Sequence, residues 1–339
     1  MAEHERRRMS EHERPRALVT GATGYIGSRL VPRLLEEGWT VRVLTRDRAK
    51  VADRRWVDEV EIVEGDATVK LSLVEALADV DVAYYLLHSM DGRPGFTKRD
   101  RVMARTFGIA ASEAGTGRIV YLSGLHPEGH LSDHLASRVE VGDLLLASGV
   151  PTAVLQAAVI LGSGSASFEM LRHLTHRLPV MVAPKWLDNR IQPIAIRDVL
   201  HYLAAAADLP AEVNRTFDIG GPDVLTYREM IQRYAQVSGE GARTIVTVPV
   251  LTPWLASHWV GLVTPVPAGI AKPLVGSLIH EVVCREDDLE ELVGAPAGGT
   301  LGFDDAVRAS IDPGGGPRPE PGTVDPARIT SADPKWAGD

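Results

Sequence analysis

The chain is predicted to be an α/β protein: a doubly wound parallel sheet with a smaller, irregular carboxyl-terminal substrate lobe. Three observations carry the prediction. Short, almost wholly apolar segments alternate with helical ones between Ala17 and Leu161, the mark of parallel strands covered on both faces. A glycine triplet stands between the first strand and the first helix, and after Gly162 the alternation becomes irregular.

The elements follow in order. Ala17–Thr20 reads as the first strand and Tyr25–Glu37 as a helix stopped by Gly38. Pro32 is unfavourable inside that helix, so a kink or a late start is expected there. Strands follow at Thr40–Thr45 and Val60–Glu64, a helix at Leu71–Leu77, and an apolar strand at Val80–Leu87. Lys98–Ala114 is helical and Arg118–Leu122 a strand. Ser132 is the cap of a helix running to about Ala147 and ended by Gly149. Thr152–Leu161 is the sixth strand. Beyond it, helices are expected at Ser167–Arg177, Asp198–Ala207 and Thr226–Ser238, the last capped by Thr226, with short strands at Gln192–Ile196 and Thr216–Ile219. Right-handed crossovers then wind the sheet on both sides.

Composition narrows the function classes. The 339 residues are 45% hydrophobic and 24% charged, ordinary for a soluble globular protein with a core. A net charge of −9 without a basic block excludes a nucleic-acid partner, which needs a concentrated basic face. One cysteine, Cys284, rules out an internal disulfide and fits a reducing cytoplasm. The 11 histidines are scattered, so no metal site is expected. The amino-terminal stretch has no apolar core of a secretory signal; it repeats EHER and reads as a disordered tail over residues 1–15, in which Met9 is an alternative start. Residues 313–339, rich in proline and glycine, read as a disordered linker or tail. The apolar run Trp259–Ile279 is broken by Pro265, Pro267 and Pro273, so it is not a membrane span. It is expected to be a buried or groove-lining segment, with contact to a protein or membrane surface as the alternative.

The segment from Val19 to Gly27 reads VTGATGYIG. A chain leaving a strand here must turn sharply, and a side chain at the turn would block a pyrophosphate. Gly21 and Gly24 permit the turn and the close approach, and Gly27 lets the helix pack on the strand. The helix amino terminus then offers free N–H groups to phosphate. With the flanking strand and helix in place, the motif implies a dinucleotide cofactor held by Gly21, Thr23, Gly24, Tyr25, Ile26 and Gly27. Sites for NAD place a carboxylate at the end of the second strand. Here that position is Arg46, which suits a 2′-phosphate through charge-assisted bonds. NADP(H) is therefore favoured over NAD(H), although Asp47 lies beside it and Arg48 stands ready to assist. Asp66 and Ala67 follow the third strand near the expected adenine; a plain helix cap is the alternative for Asp66. Leu87 and His88 follow the fourth strand over the cofactor.

With these residues in place, the sequence resembles the short-chain dehydrogenase/reductase superfamily, in its atypical NmrA-like branch. GATGYIG and Arg46 carry most of the resemblance, which extends from Ala17 to Ile311. The segments YYLLHSM, GSGSASFEML, RIQPIAIRDVL and FDIGGPDVLTYREM are similar to bacterial nucleoside-diphosphate-sugar epimerase-like proteins. In many of those a further domain of unknown function follows, and Asp333–Gly338 resembles its beginning, so a truncated or shortened chain is expected. The resemblance implies a Rossmann domain over residues 16–162 and an integrated substrate lobe over 163–312.

In the superfamily a tyrosine and a lysine four residues apart transfer the proton and hold the ribose, and a serine orients the substrate. The resemblance places Ser123 at the serine position, His134 at the tyrosine and Arg138 at the lysine. The i, i+4 spacing puts His134 and Arg138 on one helix face. Arg138 keeps its charge, which disfavours a charged His134 and makes it a weak base more readily than an acid. Ser89, Arg190 and Gln192 are candidate substrate contacts; a turn role for Ser89 and surface or strand-edge bonds for the other two remain alternatives. Two functions follow. One is an NADP-dependent reductase or epimerase-like enzyme on a small carbonyl or hydroxyl substrate. The other is a dinucleotide-binding redox sensor or scaffold without turnover, which the missing tyrosine and lysine and the proline-broken segment support.

Overall fold

The computed structural model describes residues 14–89, 95–127, 129, 131–248, 263–277, 279–311 and 318–338. The expected tail over 1–15 lies almost wholly outside them, as does part of the 259–279 run.

A seven-stranded parallel sheet forms the centre, in the order β3-β2-β1-β4-β5-β6-β11. Its strands are β1 (Arg16–Thr20), β2 (Thr40–Thr45), β3 (Glu61–Glu64), β4 (Val82–Tyr85), β5 (Arg118–Gly124), β6 (Thr152–Ala157) and β11 (Arg215–Ile219). The helices are α1 (Tyr25–Glu36), α2 (Lys70–Leu77), α3 (Phe96–Ala114) and α4 (Asp133–Leu146). The side-chain period of two sorts the core. Ala17, Val19, Tyr84, Val120 and Leu155 pack on the face covered by α1 and α6 (Ile196–Ala205). Leu18, Tyr85, Ile119, Tyr121 and Val154 pack on the other, against α2, α3 and α4. The doubly wound sheet is as expected. The chain order reverses at β1 and β4, where open α/β sheets bind their ligands outside the strand carboxyl ends.

Several local expectations change. Helix α1 starts at Tyr25 and runs through Pro32, so the proline neither delays nor ends it. The predicted sixth strand is two: β6, then after Ala158 and Val159 the short β7 (Ile160–Leu161), which leaves the sheet to pair with β10 (Ile194–Ala195). The predicted Gln192–Ile196 strand shortens to β10, and a separate strand, β9 (Arg190–Ile191), precedes it. β11 rejoins the central sheet beside β6, so the two halves share one sheet.

The carboxyl-terminal lobe has its own core, built on α5 (Ala166–Arg177), α7 (Tyr227–Val237), α8 (Ala268–Ser277) and α10 (Phe303–Ser310). The small pairs β8 (Val180–Pro184) with β13 (Thr244–Val248), and β9 with β12 (Leu225–Thr226), complete it, and α9 (Asp288–Val293) lies beside β11 and α6.

Residues 318–338 correct the expectation of a disordered end. They pack on α1 through a fully buried ion pair: Arg29 Nη1 and Nη2 donate to the two Asp333 oxygens at 2.8 and 2.7 Å. Arg29 also donates to the carbonyls of Pro326 and Arg328, and the Gly338 amide donates to buried Glu169. Order here comes from buried polar bonds, not from an apolar stripe.

Candidate active site

The glycine loop builds the first half of the site. Thr20 Oγ1 donates to the Tyr84 carbonyl at 2.9 Å and accepts the Leu86 amide at 3.1 Å, pinning the end of β1 to the chain leaving β4. Gly21 has a φ of +73°, and a Cβ there would lie 2.6 Å from the Leu86 oxygen. A Cβ on Gly27 would lie 2.4 Å from the Gly21 oxygen, so helix and loop touch backbone to backbone. Gly24 closes the turn, its amide donating to Gly21 at 2.9 Å. The first N–H groups of α1 lack intrahelical partners and suit an anion. These features fit a dinucleotide pyrophosphate.

Beside the loop lies a cleft of about 450 Å³ at the carboxyl ends of β1 to β4. Gly21, Thr23, Arg46, Asp66, Ala67, Leu87, His88 and Ser89 line it, together with Lys50 and Arg99. Thus seven of the eleven predicted cofactor residues line this cleft, while Tyr25 and Ile26 line a second cavity. Asp66 Oδ1 accepts the Thr68 amide at 2.8 Å and hydroxyl at 2.7 Å, and these bonds hold its carboxyl below the usual range. Asp47 turns to cap a short helical turn, accepting the Ala49 amide at 3.0 Å, and is absent from the cleft lining.

The second cavity has a volume of about 250 Å³. Tyr25 and Ile26 of the same loop line it, with Ser123 at the end of β5 and His134 and Arg138 on α4. The His88 and His134 rings meet at 4.8 Å, so one wall serves both spaces. The remainder is mostly apolar, including Leu122, Leu125, Leu135, Val159, Met170, Leu274 and Val282.

The predicted trio therefore converges. Ser123 is 3% exposed, and its Oγ has no hydrogen-bond partner among the described residues. Arg138 Nη2 donates to the Leu122 carbonyl, while Nε is buried without a partner. Burial, then Arg138 and His88, pushes His134 down to about 3. The imidazole is therefore neutral at pH 7 and has no imidazolium proton to give. Burial also lowers His88, against the pull of Asp100 3.6 Å away. Asp100, buried on α3, accepts the Ser89 amide at 3.1 Å and the Ser137 hydroxyl at 3.3 Å; despite burial, its bonds to His88 and Ser89 keep it ionised.

Three substrate candidates fall elsewhere. Ser89 lines the dinucleotide cleft. Arg190 points out from β9 and pairs with Glu281 at 2.9 Å, two exposed charges satisfying each other. Gln192 is a clamp, donating to the Gly221 carbonyl at 2.8 Å and accepting the Cys284 amide at 3.0 Å. Two residues went unseen in the sequence. Asp100 could have been flagged by its i, i+4 spacing to buried Ala104. Tyr227, which lines the cavity, sits in a segment that reads simply as a helix start. Among the described residues no helix is long and apolar enough to cross a membrane, and no cluster of His, Cys, Asp or Glu suited to a metal is present.

Residues 21–156 match the family model for NAD(P)H-binding domains. Residues 21–156 thus form an NAD(P)H-binding domain. The chain is 28% identical over 230 residues to a ceramide reductase of Caulobacter vibrioides, covering 67% of this chain and 72% of that one. It is 28% identical over 252 residues to pinoresinol reductase 1 of Arabidopsis thaliana, covering 67% and 76%. Its fold matches the triphenylmethane reductase of Citrobacter sp. complexed with NADP(H), with a TM-score of 0.68, 20% identity and coverage of 87% and 99%. Both of these curated relatives are named as reductases.

Proposed function

We propose that this protein is an NADP(H)-dependent reductase of a small, apolar carbonyl compound, or runs the reverse oxidation of the alcohol. The observation that carries the reading is the shared wall: one glycine loop presents Gly21 and Thr23 to a charged cleft and Tyr25 and Ile26 to an apolar cavity. The dinucleotide would lie in the first, held by the α1 amino terminus, with Arg46 and Lys50 on its 2′-phosphate. Asp47, the residue that would favour NAD, is engaged in its own turn.

The bound cofactor supplies the hydride; the chain positions and stabilises. Reduction puts a hydride on the carbonyl carbon and negative charge on its oxygen, which takes a proton from water. Donors aimed at that oxygen in a dry cavity are worth far more than in water. Ser123 Oγ and Arg138 Nε are the donors at hand, both buried and unpaired. Neutral His134 packs against His88 with the rings tilted and shapes the wall between the two spaces. A nucleoside-diphosphate sugar fits less well, because Arg138 is the one cation lining the described cavity.

The test is NADPH oxidation in the presence of benzaldehyde, acetophenone, 1,4-benzoquinone and 1,4-naphthoquinone, together with calorimetric titration of NADPH and NADH. Turnover of at least one compound and tighter NADPH binding are expected. Binding without any turnover would favour the sensor reading, and equal affinities would remove the NADP preference.

A further inference from the structure

Tyr227 is the first residue of α7, in the substrate lobe. Thr226 and Glu229 fix it there through a reciprocal capping box, with bonds of 2.7 to 3.1 Å. The ring is 3% exposed and packs in the lobe's apolar core. Its hydroxyl is buried and has no hydrogen-bond partner among the described residues, yet the residue lines the apolar cavity. Buried tyrosine hydroxyls normally find a partner, and leaving one unmade is costly.

Three other tyrosines share the first property but differ in place. Tyr84 and Tyr85 lie inside β4 and line neither the cleft nor the cavity. Tyr25 lines the cavity, but its hydroxyl lies against Gly162, where a Cβ would come within 2.1 Å of it, and its ring is covered by the Arg29 guanidinium at 4.1 Å. Of these four, Tyr227 is the one that lines the cavity with its hydroxyl unpaired among the described residues and no cation over its ring. Ser123 and Arg138 reach the same space from β5 and α4, so donors come from both halves of the molecule.

We propose that Tyr227 is a catalytic residue: its phenol donates a hydrogen bond to the substrate carbonyl oxygen as that oxygen gains negative charge. The inference rests on the reductase reading. It supplies, from the substrate lobe, the hydroxyl that the superfamily takes from α4 and that this chain lacks there. Burial raises the phenol well above its ordinary value, so it stays protonated and acts as a donor throughout the working pH range. In the step, the hydride reaches carbon, the carbonyl π pair moves to oxygen, and water supplies the proton under the phenol's hydrogen bond.

The test compares wild type with Tyr227→Phe on the same four carbonyl compounds. The variant keeps the ring and its packing. A fall of roughly 100-fold in kcat, the scale of losing one oxyanion donor, with unchanged NADPH affinity is expected. Infrared spectra of benzaldehyde bound to the NADP+ complex give a second readout that needs no turnover. The carbonyl stretch should be lowered in wild type and return toward its unbonded frequency in Tyr227→Phe. Equal kcat, or the same band in both proteins, would overturn the inference and leave the reductase reading intact. No turnover by wild type would instead contradict the reductase reading.

Discussion

At the dinucleotide cleft, the turn from Gly21 to Gly27 is shaped by backbone contacts, and Gly21 and Thr23 of that turn line the space. At the apolar cavity, polar residues from Tyr25 to Ser277, among them Ser123, His134, Arg138 and Tyr227, come from positions spread over 253 residues of chain. The two spaces share the His88–His134 wall but answer to different physics. The cleft needs glycines, a helix start and a cation, all local requirements. The cavity needs the sheet, α4 and the substrate lobe to be docked correctly before any donor is in place. Substitutions should therefore separate the two spaces, except where they remove a support common to both.

The largest effect is expected at that common support. Asp333→Ala leaves the Arg29 guanidinium buried and uncompensated beneath Tyr25, and should cost about 4 kcal/mol of stability. Chemical denaturation should show it, with cofactor binding and turnover declining together. A midpoint unchanged from wild type would mean that the carboxyl-terminal segment supports neither site. Next comes Gly27→Ala, which pushes a methyl against the Gly21 backbone. At about 3 kcal/mol of overpacking, NADPH affinity should fall on the order of 100-fold, read by calorimetry. Arg46→Ala is narrower still. Losing charge-assisted bonds to a 2′-phosphate, about 2 kcal/mol, should weaken NADPH roughly 30-fold and leave NADH unchanged; equal losses for both would assign Arg46 to general electrostatics.

The effect that vanishes at neutral pH concerns the shared wall. His134 is held at about 3 in the folded protein against an ordinary 6.5. Between those values the unfolded chain binds a proton that the folded one refuses. Stability should therefore fall as pH drops from 6.5 toward 3, with no contribution from this group above that window. In His134→Phe that part of the slope should vanish. Urea midpoints across the range would measure it, and parallel curves would contradict a neutral, buried His134.

Much of the architecture was legible in the sequence because parallel strands announce themselves as apolar runs. Thr40–Thr45 matches strand β2 to the residue, and Thr226 caps α7 as expected. The glycine loop was legible for the same reason: its requirements are local. The division of Thr152–Leu161 was not, since Ala158 and Val159 are as apolar as their neighbours and the break follows from where β10 pairs. Nor was the order of residues 318–338. Asp333 meets Arg29 across 304 positions and turns its own segment by accepting the Thr330 amide and hydroxyl at 2.7 and 2.9 Å. Arg190 and Gln192 looked like site residues because polar side chains before a strand attract notice. Their partners, Glu281 and the 221 and 284 backbone, are tertiary. Tyr227 escaped because nothing beside it in sequence distinguishes a donor in a cavity from a ring in a core.

The central claim is that the apolar cavity receives a hydride from a cofactor bound in the cleft. The most direct measurement is single-turnover reaction of NADPH deuterated at the transferring position of the nicotinamide with the carbonyl panel, followed by mass spectrometry of the product. The account predicts one deuterium on the former carbonyl carbon of an aldehyde or ketone product, formed by wild type and lost in step with kcat in Tyr227→Phe. Tight NADPH binding with no deuterium transferred to any compound would contradict it.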